Sequence, residues 1–219
     1  MPDETVIMKP NQNHSVKGNH IMAKIILFDG TSTAMWTKRD GSPVAWTIED
    51  GVLTVGRDVG EFTSDIVSTV KYGDAHIHVE WREPDMPEAK GQEKGNSGVY
   101  IHGAYELQVL DSNGIENPGL GDCGAIYSVY PPRTNACKPA LEWQTYDIYL
   151  RAPRFNDDGT VKEAARVTIF QNDILIQNNI ELYRTTPGGV TGEQVAEGPL
   201  LLQDHGNPVS YRNIWIEKM

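Results

Sequence analysis

No apolar run in this chain approaches the roughly 20 residues that a membrane-spanning helix requires, and nowhere do apolar residues recur at three and four for the length of a convincing core helix. The first absence argues against membrane insertion, and the second leaves strands as the building unit. Cations are scarce as well. Nineteen Lys and Arg face 30 Asp and Glu, a formal charge of −11, which disfavours nucleic acid and anionic membrane surfaces as partners. Neutral ligands such as sugars remain open. The Gly-rich turn Gly95-Asn96-Ser97-Gly98 lacks the lysine of a phosphate-binding loop. The first residues do not run from a basic region into an apolar core, so they do not read as an export leader, and the chain is expected to be soluble.

Cysteine is nearly missing too. Cys123 and Cys137 are the only two, and they flank a Pro-rich loop. They could close a disulfide in an oxidising compartment or stay as thiols, and sequence leaves both open. Metal ligation by this pair is disfavoured, because structural zinc takes four ligands at tight spacing.

What the chain does hold is strand-like punctuation. Met1 to Ala23 mixes Pro, Asn, Lys and His with little periodicity and reads as a poorly ordered tail. From Lys24 onward, short apolar runs alternate with turns. Asp50-Gly51 between two such runs is a strong hairpin signal, and Asn172-Asp173 sits between Ala165–Gln171 and Ile174–Gln177. Strands are also expected at Ile66–Val70, His76–Arg82, Ala125–Tyr130, Trp143–Arg151, Leu200–His205 and Tyr211–Glu217. His76 and His78 share a strand face, which reads as a solvated His pair rather than a metal pair because no third ligand lies nearby. About a dozen strands and no core helix predict an all-β fold, an antiparallel two-sheet β-sandwich, as a single domain over residues 24–219.

The most informative stretch runs from Gly95 to Asp111. It reads as runs Val99–His102 and Tyr105–Leu110, joined at Gly103-Ala104. Alternation puts Tyr105, Leu107 and Val109 on one face, and Glu106 and Gln108 on the other. A bulge before Asp111 would return a second carboxylate to the polar face. Near the end of the chain, Leu201, Gln203 and His205 turn one face from apolar to polar at a strand end, where sandwich folds place ligand groups. Arg212 alternates with Ile214 and Ile216, so it is expected on a buried face with Glu106 or Asp111 as partner.

The strings I-I-L-F-D-G (25–30), W-T-I-E-D-G-V-L-T-V (46–55), G-N-S-G-V (95–99), Y-E-L-Q-V-L-D (105–111), G-A-I-Y (124–127), W-Q-T-Y-D-I (143–148), A-R-V-T-I-F (165–170) and L-L-L-Q-D-H-G-N-P-V-S-Y-R-N-I-W-I (200–216) occur in one order along nearly the whole folded part. Together they resemble the 3-keto-disaccharide hydrolase family, formerly a domain of unknown function. The resemblance implies a jelly roll of the concanavalin A-like lectin and glucanase type, and an exported bacterial protein, periplasmic or secreted, acting on a carbohydrate substrate. Glucanases of that fold carry E-x-D-x-x-E. Here the comparable string from Glu106 to Asp111 has Gln108 in the middle and the shorter Asp111 at the end, which does not suit a two-carboxylate displacement.

A 3-keto sugar asks for less. Its ketone acidifies the hydrogen on carbon 2, so one base, one acid for the leaving group and a stabiliser for the enolate oxygen suffice. Glu106 and His205 are expected to share the acid and base roles, with Arg212 as the oxyanion stabiliser. Asn96, Gln108, Asp111, Tyr127 and Gln203 are expected to bind substrate. A divalent metal on Glu106, Asp111 and His205 is the alternative electrophile to Arg212, and sequence leaves both open. Two other functions stay open: a lectin-like carbohydrate-binding module using Tyr100, Tyr130 or Trp143 as stacking platforms, and a conventional glycosidase on unoxidised glycans. A cleft that holds Glu106, His205 and Arg212 together would favour the enzyme.

Overall fold

Strict alternation in Ala75–Arg82 sends Ala75, Ile77, Val79 and Trp81 to one side of a strand, and all four are fully buried. That strand is the spine of the larger sheet in the computed structural model, which describes residues 24–58, 61, 62 and 65–219. The expected tail from Met1 to Ala23 lies outside the described residues.

In chain order the strands are β1 (Lys24–Phe28), β2 (Trp36–Lys38), β3 (Thr47–Glu49), β4 (Val52–Thr54), β5 (Arg57–Asp58), β6 (Glu61–Phe62), β7 (Ile66–Tyr72), β8 (Ala75–Arg82) and β9 (Ser97–Ile101). They continue as β10 (Tyr105–Val109), β11 (Gln144–Arg151), β12 (Arg154–Phe155), β13 (Val161–Glu163), β14 (Ala165–Gln171), β15 (Ile174–Leu182), β16 (Gly198–Leu202) and β17 (Ser210–Lys218). An eight-stranded sheet runs β15-β14-β11-β8-β17-β4-β3, with β1 also paired to β17, and a five-stranded sheet runs β10-β9-β16-β7-β2. Two ribbons, β5 with β6 and β12 with β13, complete the list. Among the described residues the only helix is a single 3-10 turn at Gly91–Glu93. The chain is an antiparallel β-sandwich.

The register explains why the large sheet holds. Ile25, Ile216, Ile77, Ile148 and Ile169 lie opposite one another in one row across five strands, and the last four are completely buried. Each such side chain contributes about 1.5–3 kcal/mol by leaving water. From the smaller sheet, Val99, Ile101, Tyr105, Leu107, Val109, Leu200 and Leu202 join the same core. Buried hydrogen bonds also join the two sheets: the Ser97 and Tyr211 hydroxyls lie 2.6 Å apart, Tyr146 Oη donates to Gln108 O at 2.6 Å, and Trp36 Nε1 donates to Leu27 O at 2.8 Å.

Several turns and ends differ from expectation. The β9–β10 hairpin turns at His102 (φ 55°) and Gly103 (φ 62°) rather than at Gly103-Ala104, because a twist-matched tight turn requires two successive residues at positive φ. The His102 ring packs edge-on against Tyr72, 5.0 Å between centroids, which fixes it there. Ala125–Tyr130 is not a strand. Only Ile126 makes bridges, to Leu107 and Tyr130, since Ser128 at φ 60° turns the chain back. β9 begins at Ser97 and β16 ends at Leu202, so Gly98 is a strand residue while Gln203 and His205 lie beyond a strand end.

Every residue of β9 and β10 is buried, on both faces. The edge of β10 is covered by the Gly124–Tyr127 segment, through Gln108 N to Ala125 O at 2.9 Å and Tyr127 N to Glu106 O at 3.0 Å. The outer face is covered by the segment from Thr185 to Thr191. Thr186 pins it, because Glu106 N donates to Thr186 Oγ1 at 2.8 Å.

Removing the centre of the isoleucine row tests this account: Ile77→Ala should lower unfolding stability by about 2–5 kcal/mol and Ile77→Val by about 0.5–1.5 kcal/mol, read by urea denaturation. A loss below about 1 kcal/mol for Ile77→Ala would show that the row does not hold the sheet.

Candidate functional site

Because Tyr105, Leu107 and Val109 point into the core, Glu106 and Gln108 point out of it, and the register sets them opposite Tyr100 and Gly98 on β9. The chain leading into β9 adds Asn96, and the chain leaving β16 adds Gln203 and His205. These side chains, with Tyr127, Gln92 and the Pro187-Gly188 cover, line one cavity of about 150 Å³. An acidic group from the middle of the chain and an imidazole from near its end therefore share one hollow.

Glu106 is the one carboxylate among the residues lining this cavity. It is only 4% exposed. Burial pushes its carboxyl up to about 7, and the nearby charge of Asp65 acts in the same direction, while a hydrogen bond from Tyr100 opposes them. The Tyr100 hydroxyl has one proton and two acceptors in reach, the Glu106 carboxylate and the Pro187 carbonyl at 3.0 Å. It also accepts from Gln203 Nε2 at 3.1 Å. Burial, and then the Glu106 charge, raise Tyr100 far above the usual phenol range, so it stays a proton donor.

The amides show what the cavity is shaped to receive. Gln108 Nε2 donates to Gln92 Oε1 and Asn96 Oδ1, both at 3.2 Å, and Asn96 Nδ2 donates to Gln92 O at 2.8 Å. Yet Gln108 Oε1 and Gln203 Oε1 are buried with no partner. A buried acceptor without a donor is costly, and both belong to side chains that line this cavity.

Two glycines make the arrangement possible. A Cβ on Gly98 would stand 2.9 Å from Glu106 Oε1 and 3.0 Å from the Tyr100 ring. One on Gly188, at φ +83°, would stand 2.6 Å from the Tyr100 hydroxyl. The cover is also clamped: Arg39 pairs with Asp65 and donates to the Gly188 carbonyl, and Asp65 Oδ1 accepts from Asp204 N at 2.7 Å, beside His205.

Arg212 and Asp111 stand elsewhere. Between Arg212 and Trp215 the β17 register shifts, with Asn213 at φ 46°. The bulge turns Arg212 to the outer face of the large sheet, where it bonds Glu80 at 2.6 Å and lies 4.0 Å over Trp143, its side chain 43% exposed. Its partner is thus Glu80 rather than Glu106 or Asp111, and it is no stabiliser for an oxyanion in the cavity. Asp111 turns to Lys94, 2.9 Å away, and does not line the cavity. Glu106, Asp111 and His205 therefore do not converge into a metal-ligand set among the described residues. Of the candidate stacking platforms, Trp143 lies under Arg82 and Arg212, Tyr130 packs edge-on against Tyr183, and Tyr100 is inside the cavity. The pair His76 and His78 shares Asp147 Oδ1, 2.9 Å from each, on the outer face. A larger, more open groove of about 650 Å³ is lined by Phe155, Tyr183 and Arg184 among others. It holds no buried titratable group, whereas the smaller cavity holds Glu106.

Tyr100 as a partner of Glu106, Gln92 and Gly188 were not foreseen. Setting the hairpin register would have placed Tyr100 across from Glu106. Gln92 and Gly188 come from polar loops with no periodic signal.

Residues 23–217 match the model of a family described as a 3-keto-alpha-glucoside-1,2-lyase-like domain. The chain is 26% identical over 233 residues to the 3-keto-disaccharide hydrolase of Bacteroides thetaiotaomicron, covering 88% of this chain and 77% of that protein. A solved structure from Parabacteroides distasonis ATCC 8503, provisionally described as a glycosyl hydrolase, is 36% identical with a TM-score of 0.80, covering 90% of this chain and 84% of that one. A second solved structure from that organism, described in the same words, has 23% identity and a TM-score of 0.63, covering 90% and 95%. It shares the fold.

Two substitutions test the geometry. Gly98→Ala should displace Glu106 and lower activity at least tenfold with the fold retained, as judged by circular dichroism. Arg212→Ala should leave kcat/KM within about twofold of the parent, because the guanidinium lies on the far sheet; a loss of a hundredfold would return Arg212 to the chemistry.

Proposed function

Because the chain belongs to the 3-keto-α-glucoside-1,2-lyase-like family, we propose that it cleaves the glycosidic bond of 3-keto-disaccharides. The observation that carries the reading is that, among the described residues, Glu106 is the one carboxylate lining the cavity, with His205 at its mouth. Double displacement on an unoxidised glycan requires a second carboxyl group roughly 5–5.5 Å away, and Asp111 is held by Lys94 instead. Elimination from a ketone needs only one base.

In this mechanism Glu106 takes the proton from carbon 2, and the electron pair moves into the ring as an enolate with its charge on the carbon 3 oxygen. The carbon 1 to aglycone bond then breaks, a carbon 1 to carbon 2 double bond forms, and His205 protonates the departing oxygen. Water adds at carbon 1 to complete the hydrolysis. The Tyr127 hydroxyl is the donor for the enolate oxygen, and the bare oxygens of Gln108 and Gln203 accept from sugar hydroxyls. A carboxyl raised to about 7 suits a base working near neutrality. The cavity is smaller than the roughly 300–1,000 Å³ of clefts that enclose a whole drug-sized ligand. It fits the oxidised ring and leaves the aglycone outside, so tolerance of different aglycones is expected. A periplasmic or secreted setting belongs to the same proposal.

Turnover of a 3-keto-glucoside, measured beside the unoxidised glucoside, tests the assignment. Glu106→Gln should lower kcat by about 10²–10⁴-fold, and His205→Ala should slow substrates with poor leaving groups most. The unoxidised glucoside should not be cleaved. Near-parent rates in Glu106→Gln would remove the base, and binding without turnover would make the chain a carbohydrate-binding module.

The pH dependence follows from the raised carboxyl. Glu106 works as a base only when ionised, so kcat/KM should rise with pH through about 7. The sign for stability is the opposite. The folded chain holds this proton more tightly than the unfolded one between the ordinary value of 4.5 and about 7, so the contribution is full below that window and is lost as pH rises through it. Unfolding free energies of Glu106→Gln should fall less across the window than those of the parent.

A further inference from the structure

On the other side of β10, away from the cavity, three side chains that can each lose a proton meet. Glu83 follows β8, and Cys123 and Cys137 come from the connection between β10 and β11. Their ligand-capable atoms all lie within 4.8 Å of one another. Glu83 and Cys123 are each 1% exposed, and Cys137 is half-buried with a free thiol. Among the described residues no salt bridge reaches Glu83, so a carboxyl group is deep in the protein with no cation to balance it, an expensive arrangement when ionised.

The surroundings face the cluster with N–H groups. Trp81 Nε1 donates to Glu83 Oε1 at 3.1 Å and Gln144 Nε2 to Glu83 Oε2 at 2.6 Å. Gln144 Nε2 also lies 3.5 Å from Cys137 Sγ, and Gln171 Nε2 lies 3.4 Å from Cys123 Sγ. For their own protons the thiols have the Leu110 carbonyl and Glu83 Oε1, 3.6 and 4.0 Å from Cys137 Sγ, and the Tyr146 hydroxyl, 3.4 Å from Cys123 Sγ. Donors ringed outside and acidic groups turned inward is the pattern of ligands oriented around a cation by their outer partners.

We propose that Glu83, Cys123 and Cys137 bind one zinc ion, with a water as the fourth ligand. Two thiolates select zinc over the hard cations magnesium and calcium, and a carboxylate with a water completes a tetrahedral set. Binding forms two Zn–S bonds, one Zn–O bond to Glu83 and one to water, and releases the thiol protons, with the Glu83 proton where it is held, to solvent. No electrons move. The site ties the end of β8 to the connection that supplies Ala125 and Tyr127 at the cavity edge, so its role is to hold that wall, independently of the reaction assigned to Glu106.

The test is titration of the reduced, chelator-treated full chain with Zn²⁺ alone, and separately with Co²⁺. One equivalent should bind, Co²⁺ should give a thiolate-to-cobalt charge-transfer band, and both thiols should resist a thiol reagent until chelator is added. Glu83→Gln keeps the side-chain shape and both thiols, and should weaken Zn²⁺ binding at least tenfold. Cys123→Ser and Cys137→Ser should each abolish the cobalt band, and if either fails to fold, the parent spectrum and Glu83→Gln still decide. Absence of stoichiometric zinc, a cobalt complex without the band, or unchanged affinity in Glu83→Gln would overturn the proposal. So would a natively isolated chain lighter by two hydrogens and free of metal, which would show a Cys123–Cys137 disulfide instead.

Discussion

A slip of one residue in the pairing of β9 with β10 would send Glu106 and Gln108 into the core and Leu107 into the cavity. Everything else in the site depends on that register. Three constraints hold it: the tight turn at His102 and Gly103, the depth of Leu107 and Val109 in the core, and the absence of a side chain at Gly98, which leaves room for the carboxylate across the ladder. Sandwich strands usually wet one face. Here both faces are buried, because loops close over the outer one, and this burial is what pushes the Glu106 carboxyl up from 4.5 to about 7.

The same covering makes the site more than a sheet surface. The segment that lies over Tyr100 is fixed from below by Thr186 and from the side by Arg39, and Arg39 is neutralised by Asp65, whose other oxygen holds the backbone before His205. One carboxylate thus joins the cover to the imidazole.

How much of this could be read in advance depends on the kind of signal. Alternation exposed the face of Glu106 and Gln108 correctly, because period two is a local property, and the polar end of β16 flagged Gln203 and His205 for the same reason. Arg212 misled because alternation assumes an unbroken ladder. The bulge at Asn213 inverted the faces, and nothing in Tyr211-Arg212-Asn213 announces it. Asp111 failed similarly, since the strand ends at Val109 and the chain then turns its carboxylate toward Lys94. The Glu83 cluster was invisible for a different reason. Spacing rules look for ligands close in sequence, whereas Glu83 lies far upstream of both cysteines and meets them only through the sheet pairing of β8 with β11.

The strand that follows the cavity residues has one more implication. β17 lies between β8 on one side and β4 and β1 on the other, so the first and last strands of the domain are neighbours, with Lys24 opposite Glu217. Contacts of such long sequence separation raise contact order and slow folding. During synthesis on the ribosome, the large sheet stays split, with the edges of β1, β4 and β8 unpaired, until the final segment has emerged. A nascent chain of this design therefore has to be kept from edge-to-edge association until β17 is available to pair.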